Sequence, residues 1–168
     1  MTDGSEADTS RLVTWRDPLA ATNAGGALAG HEFLRAMMTG GVPNPPFGEL
    51  LRMSVTAVQQ GRVQFTCHPD GSMYNATGTV HGGILCTLLD TAASCAVLSA
   101  LPQGKSILSI EIKVNYLSAV RTVDTAITAT GTIDRLGSRI AFATASAADD
   151  SGRIIANATS SVMIVNLP

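Results

Sequence analysis

From Ile84 to Leu101 the chain runs through Ile, Leu, Val, Ala and Cys with a few Thr and Ser, and the only charge in the run is Asp90. As a helix this segment is apolar nearly all round, with none of the wide polar stripe of a surface helix, so it has to be buried centrally. A membrane span competes for so apolar a run. Context argues against it: an Asp at the bilayer centre costs about 2.5–3.5 kcal/mol on insertion scales, no Lys/Arg cluster marks either end, and alternating strand patterns follow directly. The rest of the chain must therefore supply a wall of strands around one helix.

That wall is visible in the pattern. Leu50 to Val58 and Val63 to Cys67 flank the turn Gln59-Gln60-Gly61, and after the helix come Ser106 to Leu117, Thr122 to Asp134, Arg139 to Ala148 and Arg153 to Val165. Leu136-Gly137-Ser138 and Asp149-Asp150-Ser151-Gly152 suit hairpin turns. In the first strand after the helix, Leu108, Ile110, Ile112, Val114 and Tyr116 form one face and Ser109, Glu111, Lys113 and Asn115 the other. Such alternation predicts an antiparallel sheet covered on one side, with Ser109 pointing away from the helix. Two strands, one buried helix and four strands make an α+β domain whose sheet curls around the helix.

Upstream, Phe33, Leu34, Met37 and Met38 fall at helical spacing, and Gly40-Gly41 with Pro43, Pro45 and Pro46 ends the pattern. The spacing predicts a short N-terminal helix that either joins the core or walls a ligand pocket. Residues 1–30 lack periodicity and read as a mobile or loosely docked extension. A single domain then spans 31–168, with no internal repeat.

Composition removes several function classes. A net charge of −2 with scattered Lys and Arg gives nucleic acid or an anionic membrane no basic patch to bind. Cys67, Cys86 and Cys95 are odd in number, lack Cys-x-x-Cys spacing and sit in apolar company, which suits reduced core thiols of a cytoplasmic protein. Three dispersed histidines make no metal-ligand cluster. The acidic, polar start is unlike a signal peptide. No cofactor or metal is expected.

The chemistry concentrates at Asn75-Ala76-Thr77-Gly78-Thr79-Val80-His81-Gly82-Gly83 and the helix behind it. A helix N-terminus carries unpaired N–H donors and partial positive charge, and glycines let a carbonyl approach those donors. Asp90 lies nearly two turns after Gly83, on the same helix face, and Ser94 one turn beyond that. A lone carboxylate in apolar surroundings is costly unless paired, hydrogen-bonded or functional. The structural alternatives are an exposed position for Asp90, a helix-packing role for Ser94, and for His81 a cap that orients the turn, which is favoured over general-base chemistry.

Asn-x-x-Gly-x-x-His-Gly-Gly at 75–83, Asp90 in the helix, Ile112-Lys113-Val114-Asn115-Tyr116-Leu117 after it and Gly152-Arg153-Ile154-Ile155-Ala156 near the end together resemble the hotdog-fold acyl-CoA thioesterases of the phenylacetate-degradation type. The resemblance covers Phe47 to Val165. It implies a hotdog fold, about six antiparallel strands around one long helix, and hydrolysis of acyl-CoA to a carboxylic acid and CoA. It assigns Asp90 as nucleophile or general base, the Gly82 N–H as the carbonyl-polarising donor, Asn75 as the amide positioning water or substrate, and His81 as the motif histidine. Ser94 and Ser109 match hydroxyls that some relatives place near the carboxylate or reaction centre. Gly83, Met73 and Tyr74 are the candidate substrate contacts. The family also implies a homodimer or dimer of dimers with sites at the subunit interface, Asn75 and Asp90 of one site coming from different subunits. Two other readings stay open: an acyl-CoA-binding or regulatory module without turnover, and a hotdog dehydratase, although His81 precedes Gly-Gly rather than the Phe-Pro-Gly of that class.

Overall fold

The computed structural model describes residues 9–121 and 125–167. Three short helices, α1 (Ala20–Gly25), α2 (Gly30–Met38) and α3 (Pro46–Leu50), precede strands β1 (Met53–Gln59) and β2 (Arg62–Cys67). The long helix α4 (Gly82–Leu98) follows, then β3 (Lys105–Tyr116), β4 (Ile127–Leu136), β5 (Ile140–Asp149) and β6 (Ile154–Asn166). The six strands form one antiparallel sheet in the order β1-β2-β4-β5-β6-β3. This is the hotdog architecture, with α4 packed in the concavity of the sheet. Of the strand expected over 122–134, residues 122–124 lie outside the described residues.

The fit depends on small residues. Leu85, Leu88, Leu89, Ala92, Ala93, Ala96 and Val97 of α4 are buried, and the sheet meets them with Ala129 and Gly131 of β4, Ala141, Ala143 and Ala145 of β5, and Ala158 and Ser160 of β6. At the closest point Gly131 lies under the helix backbone, where a Cβ would overlap the carbonyl of Ala92. The far end is pinned by Ser99, whose hydroxyl donates to the Ala96 carbonyl at 2.7 Å and accepts from the Gly61 N–H of the β1–β2 turn at 2.9 Å. The outer face of the sheet is polar, with Thr56, Thr66 and Thr128 joined hydroxyl to hydroxyl across three strands.

Two features depart from the sequence pattern. Helices α1 and α3 fall where no periodicity was read, each being six residues or fewer, too short for a helical repeat to register. Within the segment read as an extension, Arg11 ties residues 9–29 to the domain by donating to the Leu50 carbonyl at 2.8 Å and pairing with Asp70 at 3.1 Å. The second feature is a β-bulge in β3, where pairing with β6 shifts between Ser109 and Glu111. The extra residue, Ile110, reverses the alternation: Ile107, Ile112 and Val114 pack on the core, whereas Leu108 and Ile110 are exposed. Ser109 therefore faces the helix, which corrects the orientation expected from alternation.

Gly131→Val forces the helix off the sheet, and overpacking of this kind costs about 1–3 kcal/mol or more. At about 2–4 °C per kcal/mol for a chain of this size, thermal unfolding should show a clear fall in Tm. Gly71→Ala, at a position with open space around it, should leave Tm nearly unchanged.

Candidate active site

The loop before α4 is fixed by its own polar side chains. Asn75 Oδ1 accepts from the Thr77 N–H at 3.0 Å, the Thr77 hydroxyl at 2.7 Å and the Thr79 N–H at 3.2 Å, and Asn75 Nδ2 donates to the Thr79 hydroxyl at 2.9 Å. Gly78 completes the turn at φ +70°, a conformation glycine adopts without penalty. The strand-like exit is held by the Val80 N–H on the Val120 carbonyl and the His81 N–H on the Met73 carbonyl, both at 2.9 Å. Asn75 thus shapes the turn, and one Nδ2 hydrogen is left over.

His81 is the N-cap of α4: its Nδ1 accepts from the Gly83 N–H at 2.9 Å. The Ile84 N–H is also satisfied, on the His81 carbonyl. Of the first three helical donors only the Gly82 N–H has no acceptor among the described residues. Gly82 also lies beneath Tyr116 of β3, whose hydroxyl donates to the Gly82 carbonyl at 3.0 Å and whose ring carbon would sit 3.2 Å from a Cβ at this position. Tyr116 is a residue of the site that sequence reading placed only on a strand face; an aromatic ending the strand after the helix, opposite a glycine, is the signal that was there.

Farther along α4, Asp90 is half-buried and its carboxylate receives the Ser109 hydroxyl at 2.9 and 3.1 Å. Ser109 Oγ is 3.2 Å from Ser94 Oγ. Because the single Ser109 proton goes to the carboxylate, Ser94 is the donor in this second contact. The result is a relay from Ser94 through Ser109 to Asp90, built by the i, i+4 spacing on α4 and by the bulge that turns Ser109 inward. The three residues read from the motif are brought together in one chain. Met73 is a core residue, Tyr74 bridges to Val80 beside it, and the Gly83 N–H is occupied by His81.

Gly82 and Asp90 are eight residues apart on one straight helix, about 12 Å at 1.5 Å per residue. One carbonyl cannot touch both groups of the same chain.

The residue 77–156 stretch, which contains His81, Gly82, Asp90, Ser94, Ser109 and Tyr116, matches the family model described as the Thioesterase superfamily. Over this stretch, just under half of its length, the chain is similar to that superfamily, and its fold is the hotdog fold. A Halobacterium salinarum protein provisionally named an esterase is 48% identical over 46 residues, 26% of this chain and 30% of that protein's length. Among solved structures, the Escherichia coli PaaI protein of the phenylacetic acid degradation operon superposes with a TM-score of 0.71 at 18% identity, covering 81% of this chain and 96% of its own. A hypothetical thioesterase protein of Streptococcus pneumoniae, determined with coenzyme A, gives a TM-score of 0.62 at 24% identity over 68% of this chain and 89% of its own. The structural likenesses establish the fold. Among the described residues, no three His, Cys, Asp or Glu side chains are grouped to hold a metal, and no helix is long and apolar enough to cross a membrane.

The cysteines report on the Asp90 charge. Burial, and secondly Asp90, raise the thiols of Cys86 and of Cys95, the latter to about 12; burial raises Cys67 to about 11. Because the thiolate is the reactive form, Cys86 should be the first to alkylate in the folded protein. Asp90→Asn should move the Cys86 alkylation profile to lower pH, measured by mass spectrometry of iodoacetamide adducts; an unmoved profile would mean that Asp90 carries no charge felt at this face.

Proposed function

We propose that this protein hydrolyses acyl-CoA thioesters to a carboxylic acid and CoA. The observation that carries this reading is the carboxylate of Asp90, held from both oxygens by Ser109 and backed by Ser94, on a helix whose first N–H, at Gly82, is unpaired among the described residues. A carboxylate fixed in this way can attack the thioester carbonyl or take a proton from an attacking water. The Gly82 N–H, at the positive end of α4, stabilises the tetrahedral oxyanion. As the intermediate collapses, the C–S bond breaks and the sulfur leaves as thiolate; on the water route it takes up the proton held by Asp90, and on the nucleophilic route water then opens the Asp90–acyl anhydride to release the carboxylic acid. A thiol of ordinary pKa near 8.5 leaves without strong acid assistance, so no Ser-His-Asp arrangement is needed. His81 acts by capping: taking the Gly83 N–H leaves Gly82 as the outward donor. Asn75 shapes the turn that delivers Gly82 and keeps one N–H for water or substrate.

The 12 Å separation supports a site shared between two copies, Gly82 of one facing Asp90 of the other. The edge of the sheet supports pairing as well. Strand β3 is twelve residues long with one side unpaired among the described residues; Leu108, Ile110 and Tyr116 along it and Leu117 just after it are 58, 49, 54 and 55% exposed. Long apolar edges are seldom left open, and a two-fold axis satisfies both subunits at once. A homodimer, or a dimer of dimers, is the expected assembly. Coenzyme A as the thiol carrier rests on the Streptococcus pneumoniae relative, and a cytoplasmic setting on the three free cysteines.

Purified protein should release free thiol from acyl-CoA. Asp90→Asn should lower kcat by at least 10²–10³, the loss typical of removing a group that acts on the transition state. Ser109→Ala, which leaves the carboxylate present but unheld, should cost about tenfold to a hundredfold, mostly in kcat. Wild-type protein inert on short, long and aromatic acyl-CoAs, or an Asp90→Asn variant as active as wild type, would contradict the assignment; tight acyl-CoA binding without turnover would instead identify a binding module.

A further inference from the structure

A cavity of about 370 Å³ lies between the N-terminal helices and α4, within the size range of small-molecule sites. Phe33 and Met37 of α2 form one wall, Met53 of β1 and Phe65 of β2 the floor, and Thr91 and Cys95 of α4 the other wall. Among the described residues, no charged side chain lines it. Of its hydrogen-bonding side chains, the Thr91 hydroxyl donates to the Thr87 carbonyl at 2.8 Å and Asn44 Nδ2 donates to the Met53 carbonyl at 3.0 Å, while Thr22 is an exposed residue of α1. A charged or strongly polar ligand would lose its hydration here without replacement. An apolar one would not.

The position of the cavity links it to the carboxylate. Thr91 and Cys95 each follow Asp90 and Ser94 by one residue, about 100° around α4, so the cavity occupies the helix flank next to the Asp90 relay. The charge of Asp90 is felt there, since after burial it is the second influence raising the Cys95 thiol. An occupant with its polar end at Asp90 has its apolar end within reach of this space.

We propose that this cavity receives the acyl group of the thioester, so that the preferred substrates carry an apolar acyl group longer than acetyl and α1 to α3 serve as the specificity element. The proposal rests on the thioester reading of Asp90 and adds the chemical class of the acyl group.

The test is a straight-chain series of acyl-CoAs from acetyl to decanoyl. Each methylene buried in the cavity contributes about fourfold, so kcat/KM should climb along the series until the cavity is full. Met37→Trp, which fills the space from α2, should lower the decanoyl-to-acetyl ratio of kcat/KM at least tenfold. A flat series in the wild type, or an unchanged ratio in the variant, overturns the cavity assignment while hydrolysis itself stands. If Met37→Trp does not fold, Phe33→Ala enlarges the same space and should move the optimum to longer chains; an unmoved optimum overturns the proposal. If the wild type hydrolyses no member of the series, the hydrolytic reading fails, and calorimetry with the thioether S-decyl-CoA decides the cavity separately. Binding weakened at least tenfold by Met37→Trp supports it, and equal binding by both proteins overturns it.

Discussion

The contact between the backbone of α4 and Gly131 of β4 sets the geometry on which everything else depends. A helix that is apolar on nearly every face gains most when its axis lies close to the sheet, and close approach requires that the sheet present almost no side chain beneath it. Gly131 provides that gap under Ala92, and alanines on β4, β5 and β6 extend it across the concavity. With α4 seated there, its N-terminus is brought against Tyr116 and its middle against Ser109, both on β3 at the sheet's edge. The reactive groups are thus placed by packing, and the hydrogen bonds refine the placement.

Much of this was legible in the residues. The single charge in an otherwise apolar helix, the strands on either side and the hairpin turns predicted a sheet around a helix, and the structure has that form. The pairing Asp90–Ser94 followed from helical spacing alone. The N-terminal helices α1 and α3 were not legible, because five or six residues give no usable period. The bulge at Ile110 was hidden for a different reason: Leu108 through Tyr116 alternate without a flaw, and a bulge changes which residues face inward without changing the pattern. Leu108 and Ile110 face out instead of in, and Ser109 faces in. An apolar outward face on an edge strand is what the proposed pairing of two copies would cover, and it makes the pattern look like a core strand over its whole length.

The loop at 75–83 illustrates a second limit. Its motif names the residues that shape the helix start but not the hydrogen bonds they make. The Asn75 side chain, read as the amide positioning water or substrate, spends most of its hydrogen-bonding capacity on Thr77 and Thr79. His81, read as either base or cap, uses Nδ1 to hold the Gly83 N–H. What the loop delivers is one free donor at Gly82, aimed away from its own helix. Such a donor and the Asp90 carboxylate lie about two turns apart on the same rod, roughly 12 Å, and this distance is the ground for proposing a site divided between two copies.

The central claim is therefore that division, and mixing two inactive variants tests it most directly. Gly82→Pro removes the N–H while suiting the first helical position, since His81 already has the extended backbone that precedes proline; Asp90→Asn removes the carboxylate. Each variant alone should be nearly inert on acyl-CoA. In a refolded equimolar mixture half the dimers are mixed, and each mixed dimer holds one site with both groups intact, so about one quarter of wild-type activity should return. A mixture no more active than its components would place both groups in a single chain and contradict the shared site.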